Sequence, residues 1–171
     1  MVNPTSNRAI EQKANKHAEV FVDAYYLTYD SPSRSKKLLD LYRADARIVW
    51  NGNAIAGPSQ LSTVLLAQLP FSKHEVQSFD AHVIPGTPDR LPTLSINITG
   101  QVIFSAQPFR PSFKMPDSKL YTANQNPTDA EIALNGLPRV FSQSLILVPK
   151  PDAAEAASSY VIVADCFRFV G

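Results

Sequence analysis

The spacing of apolar residues changes once along this chain, and that change limits the possible folds more than any other feature. In three stretches between Ile10 and Leu69 the apolar residues recur three and four apart, and beyond Phe71 they recur two apart. The first period belongs to helices and the second to strands. Ile10, Ala14, Ala18, Phe21, Val22, Tyr25 and Tyr29 make one apolar stripe, which predicts a long first helix. Thr5 or Ser6 can cap its start, and Ser31-Pro32 ends it near Asp30. About 25 residues at about 1.5 Å each give a helix of roughly 37 Å. A shorter helix is expected over roughly Ser33–Tyr42, with Leu38, Leu39 and Tyr42 inward. A third is expected over about Ser59–Leu69, on the stripe Leu61, Val64, Leu65 and Leu69.

Between the second and third helices stands IVWNGNAIAGP, residues 48–58. Asn-Gly between short apolar runs favours a two-residue turn with positive φ at both central positions. Arg47–Trp50 and Asn53–Ala56 are therefore expected to form a small hairpin, ended by Gly57-Pro58 at the start of the third helix. Trp50 is expected in the core rather than on a ligand platform, since Trp is highly buried on average.

The second half predicts four long strands. One opens near Lys73 and carries Val76, Phe79 and the run Ala81–Ile84. In the next, Leu94, Ile96, Ile98, Val102 and Phe104 alternate with Ser95, Asn97, Thr99 and Gln101, and Gly100 is a candidate bulge. Val140–Val148 and Tyr160–Val170 are the other two. Residues 105–139 carry Pro108, Pro111, Pro116, Pro127 and Pro138, and are expected to be a long surface loop between two antiparallel strands. Loops longer than about 15 residues in compact domains are characteristically functional or disordered. The chain is thus expected to be one α+β domain over residues 1–171, with three N-terminal helices packed on one face of a curved antiparallel sheet.

Composition excludes several functions. A formal net charge of +1 supplies no overall field toward nucleic acid or membrane. A single cysteine, Cys166, allows neither an internal disulfide nor a cysteine-built metal cage, and suits a reducing compartment. His74 and His82 share no metal-ligand spacing with another His or Cys. There is no Gly-rich phosphate loop and no nucleophile elbow, so no cofactor is expected. The N-terminus is polar, which does not suggest a signal peptide. No apolar stretch approaches the roughly 20 residues of a membrane span.

The last strand, YVIVADCFRFV, bears most directly on function. Strict alternation puts Val161, Val163, Asp165, Phe167 and Phe169 on the helix side, and Tyr160, Ile162, Ala164, Cys166, Arg168 and Val170 on the other. Both sides are largely apolar, and a strand of that kind is usually covered on both. Two readings follow: a central strand whose outer face happens to be apolar, or a protein–protein interface with Arg168 as a charged anchor among Ile162, Ala164, Cys166 and Val170. Catalysis would need an acid or base in a pocket, for which Asp23, Asp165 and His17 are the candidates, but no compact Asp–His or Asp–Arg motif is present. RNA contact would draw on Arg110, Lys114 and Lys119, interleaved with Phe109, Phe113 and Tyr121. Asp117, Asp129 and Glu131 dilute that charge, and a solvated loop is the competing reading.

The stretches LYRADARIVWNGNAIAGPSQLSTVLLAQLP and ADCFRF together resemble the small subunit of the nuclear mRNA export receptor, the p15-like or Mtr2-like family. AEVFVDAYYLTYDSPSRSKKLLDLY and FSQSLILVP extend the likeness, which covers roughly residues 10–105 and 140–170. The residues between are similar to the long inter-strand loop of fungal members. The resemblance implies a nuclear transport factor 2-like fold and a non-enzymatic role. It implies heterodimerisation through the sheet with a related domain of the large receptor subunit, and passage through nuclear pores on phenylalanine-glycine nucleoporins with messenger ribonucleoprotein. Arg168 matches the family's interface arginine. Residence in the nucleus and at the pore, shuttling to the cytoplasm, follows from the same resemblance, as does RNA or ribosomal-particle contact shared with the partner. A homodimeric import carrier of the same fold is the alternative, and a small-molecule dehydratase or isomerase using Asp23 or Asp165 is another.

Overall fold

The computed structural model describes residues 4–84, 91–115, 138–151 and 160–170, with side chains from Ile10 onward. Helix α1 spans Pro4–Tyr29. A short α2, Arg34–Lys37, tightens into a 3-10 turn over Leu38–Leu41. Strands β1 (Tyr42–Trp50) and β2 (Asn53–Ile55) form the hairpin, and α3 (Gly57–Gln60) continues as a π-turn over Leu61–Leu66. Four long strands follow: β3 (Phe71–Ile84), β4 (Thr93–Ser105), β5 (Arg139–Pro149) and β6 (Tyr160–Phe169). All six strands lie in one sheet, in the order β2-β1-β6-β5-β4-β3.

The α+β layout is as expected, with one change in the sheet. Strand β1 runs parallel to β6, so the sheet is mostly rather than wholly antiparallel. The hairpin turn is as read: Asn51 and Gly52 both have positive φ. Its first strand, however, begins at Tyr42, where the second helix was expected to end. Tyr42 pairs with Ile162 and sends its hydroxyl to Asp165 at 2.6 Å, and these tertiary contacts override a weak helical pattern. The third helix also departs from its predicted stripe. The π-turn widens the spacing, so Leu61, Ser62 and Leu66 face inward while Val64 is 51% exposed.

The stripe of α1 is buried from Ala14 to Tyr29, joined by Tyr26, and only Ile10 of the predicted set is exposed. It packs on Ile96, Ile98, Val102, Phe141, Leu145, Leu147 and Ile162 from the inner sheet face. Trp50 is half-buried at the edge of this core, stacked on Phe167 with centroids 5.8 Å apart and edge-on to Phe169 at 5.6 Å. The bulge expected at Gly100 is not there but opposite it in β3: Gln77, between Val76 and Ser78, has no partner in the ladder, while Gly100 pairs regularly with Val76 and Phe141. The second half of the expected 105–139 loop, with Lys119 and Tyr121, falls outside the described residues. Its first part is irregular: Phe113 N–H donates to the Arg110 carbonyl at 2.9 Å, and the rings of Phe109 and Phe113 lie 4.6 Å apart.

Candidate partner interface

The helices cover one face of the sheet, and β6 runs near the middle of the other. Strand β6 does not alternate strictly. Ile146 of β5 pairs with Ala164, while Leu147 pairs with Ile162, so Val163 is an extra residue. Such a bulge shifts the phase of the strand by one residue. On the Asp165 side of it the expected faces hold: Asp165 and Phe167 are buried inward, while Cys166 and Arg168 are exposed. On the other side they exchange. Ile162 is fully buried in the core opposite Leu147, and Val161 turns outward. Ile162 therefore does not belong to the outer face as strict alternation required. Ala164, Cys166, Arg168 and Val170 do.

Register fixes the neighbours of these residues. One row crosses the sheet as Arg47, Ala164, Ile146 and Ser95, the next as Val49, Cys166, Ser144 and Asn97, and the third carries Arg168, Ser142 and Thr99. Ser144 Oγ donates to Asn97 Oδ1 at 2.7 Å. The face is apolar around Val161, Val148, Ile146 and Ala164 and carries small hydroxyl and amide groups through its middle. It is thus less apolar than the bare sequence of β6 implied, because the bulge withdraws Ile162 and the neighbouring strands contribute serine, threonine and asparagine. Among the described residues Arg168 meets no carboxylate.

Directly beneath, on the inner face, lies a buried polar cluster. Asp165 accepts from the Tyr42 hydroxyl at 2.6 Å, from Gln143 Nε2 at 2.8 Å and from the Tyr25 hydroxyl at 3.4 Å. Tyr26 donates to Gln143 Oε1 at 2.5 Å. Among the described residues no cation offsets the carboxylate, and burial pushes the Asp165 pKa up to about 6 against the opposing pull of these donors. The sequence offered one signal for this cluster, since an Asp facing an apolar core requires hydrogen-bond partners. It gave none for Gln143 or Tyr26. The other acid–base candidates do not converge on it: Asp23 is exposed on α1, and the His17 ring is buried edge-on to Tyr160 at 5.9 Å. Arg110 and Lys114 are exposed on the irregular segment after β4.

A pH dependence follows from Asp165. Its folded pKa is raised from 3.8, so the stability tied to its neutral form is present below about pH 4 and lost as pH rises through about 6. The shift corresponds to about 3 kcal/mol at 1.36 kcal/mol per unit. In urea titrations, the stability of the wild type relative to Asp165→Asn is expected to fall by about that amount between roughly pH 4 and pH 7. A constant difference would mean that the carboxyl is not held as described.

Comparison with known proteins agrees with this architecture. The family described as nuclear pore RNA shuttling protein Mtr2 matches residues 11–164. The chain belongs to the Mtr2 family. NTF2-related export protein 1 of Bos taurus is 30% identical over 159 residues, covering 92% of this chain and 89% of that protein. Among solved structures, the Candida albicans Mtr2–Mex67 M domain complex matches with a TM-score of 0.62 and 20% identity, over 92% of this chain and 96% of the other. The Chaetomium thermophilum Mex67 NTF2-like domain complexed with Mtr2 matches with a TM-score of 0.62 and 21% identity, over 92% and 99%. This Mtr2-family chain therefore has the nuclear transport factor 2-like fold, and its relatives are transport factors.

Proposed function

We propose that this chain is the small, non-catalytic subunit of a heterodimeric mRNA export receptor. Its outer sheet face, centred on Ala164, Cys166, Arg168 and Val170, binds the related domain of a Mex67-type large subunit. The pair supports passage of messenger ribonucleoprotein through nuclear pores on phenylalanine-glycine nucleoporins, and so resides in the nucleus and at the pore while shuttling to the cytoplasm. The observation that carries this reading is the Mtr2-family match across residues 11–164. It is supported by the Candida albicans relative, which was solved with the Mex67 M domain, and by a further relative described as a Sac3N peptide bound to Mex67:Mtr2. A catalytic role for Asp165 is disfavoured because both its oxygens already accept hydrogen bonds from the core. RNA or ribosomal-particle contact through Arg110, Lys114 and Lys119 would be shared with the large subunit.

The test is co-expression of the full chain with a Mex67-type NTF2-like domain, followed by light scattering. A stable 1:1 complex is expected. A homodimer that excludes the partner would favour an import carrier of the same fold.

A further inference from the structure

Strand β3 ends the sheet, and no strand of the described residues pairs with its outer edge. Such an edge is a template for another strand, and proteins usually blunt it with a bulge, a charge or a covering element. In β3 the irregularity sits between Val76 and Ser78, so the seven residues Ser78–Ile84 run regularly to the end of the strand. An open groove of about 610 Å³ separates this segment from α1, between Phe79, Asp80 and Ala81 on one side and Gln12, Asn15, Lys16 and Glu19 on the other. The backbone edge, with this space beside it, selects an extended strand as its occupant.

The side chains select which strand. In SFDAHVI, residues 78–84, Phe79, Ala81 and Val83 are half-buried on the inner face, and Asp80 and His82 are exposed on the outer face. An antiparallel pairing of this segment with itself about Ala81 sets Asp80 opposite His82 of the second copy, and Phe79 opposite Val83. Both pairs recur by the two-fold axis, as an isologous contact requires. Asp80 and His82 already lie 3.0 Å apart within one chain, so the pairing gathers two carboxylates and two imidazoles, each imidazole within reach of a carboxylate of either copy. An imidazole N–H can donate to a facing carboxylate, and aromatic–β-branched pairs are favourable cross-strand combinations.

We propose that the Ser78–Ile84 edge of β3 is a self-docking surface through which two copies of this chain pair antiparallel about Ala81. The outer sheet face stays free, so two heterodimers could associate into a four-chain particle. One strand edge is much smaller than a standard interface, so the association is weak and concentration-dependent.

The experiment is sedimentation velocity of the full chain over a concentration series, alone and with saturating Mex67-type domain. Asp80→His places His against His across the axis, and His82→Asp places Asp against Asp. Each variant alone is expected to lose the association. An equimolar mixture of the two is expected to regain it, because each copy then supplies the partner that the other lacks. The double variant, which exchanges the two residues, is expected to associate like the wild type. Loss in both single variants without recovery in the mixture would overturn two-fold pairing, as would wild-type association in either single variant or a wild type that stays unassociated throughout. Binding of an unrelated extended peptide at this edge without self-association would overturn it equally. If the Mex67-type domain does not bind, the series on the chain alone still decides the matter, since the β3 edge is separated from β6 by two strands of the sheet.

Discussion

Arg168→Glu is expected to weaken binding to the Mex67-type domain by at least about 2–5 kcal/mol, while the fold is unaffected. The side chain is exposed on the outer face, next to Ser142 across the ladder, and no carboxylate of the described residues meets it. Nothing described within the chain therefore requires this arginine. Covered by a partner, it would be a buried cation, and such a charge is costly unless it is paired and hydrogen-bonded. A guanidinium can hold one carboxylate through two parallel bonds, which fixes register as well as adding energy. Charge reversal would then place two carboxylates together. Titration calorimetry against the partner domain measures the loss, and restoration by an arginine in place of the partner's acidic residue would identify a direct pair. Wild-type affinity would mean that Arg168 remains in solvent.

The second large effect is on stability. Gly100→Val is expected to destabilise the domain by about 3 kcal/mol or more, read by urea unfolding. A Cβ on Gly100 would lie 2.2 Å from the Glu75 carbonyl oxygen and 2.9 Å from Cε1 of Phe141. The first contact is with backbone, which cannot turn aside as a side-chain tip can. The second is with a ring that is itself fully buried. Relief would require β3 to move away from β4, undoing the bulge between Val76 and Ser78. Thr99→Val, one residue away and exposed, is expected to change stability by no more than about 0.5 kcal/mol. Equal effects at the two positions would show that β3 can shift freely.

The sequence carried the large elements because their apolar periods are long and unbroken. The α1 stripe and the alternation of β4 each persist over many residues, and Ala14 to Tyr29 of the first and Leu94 to Val102 of the second are buried as the spacing predicts. Places where one residue changes the phase were not legible. Val163 in β6 and the π-turn in α3 each add a residue to the local repeat, and side-chain identity does not announce such insertions. The error over Ile162 came from this, whereas Ala164, Cys166, Arg168 and Val170 lie on the other side of the bulge and keep their assigned face. The parallel pairing of β1 with β6 was hidden for another reason: it joins strands more than 100 residues apart in sequence, as in Tyr42 with Ile162. Asp165 could be read as a buried group in need of partners, but Gln143 and the tyrosines that supply them are brought together only by the fold.

The outer face of β6 is the surface we propose that the partner covers. Cys166 lies in that face, is exposed and is the only cysteine of the chain. Its alkylation rate can be measured in the free chain and in the complex with a cysteine-free partner domain. Modification at least roughly ten times slower in the complex is the predicted result, since thiol reactivity depends on access as well as on thiolate character. Equal rates in the free and bound chain would contradict the account.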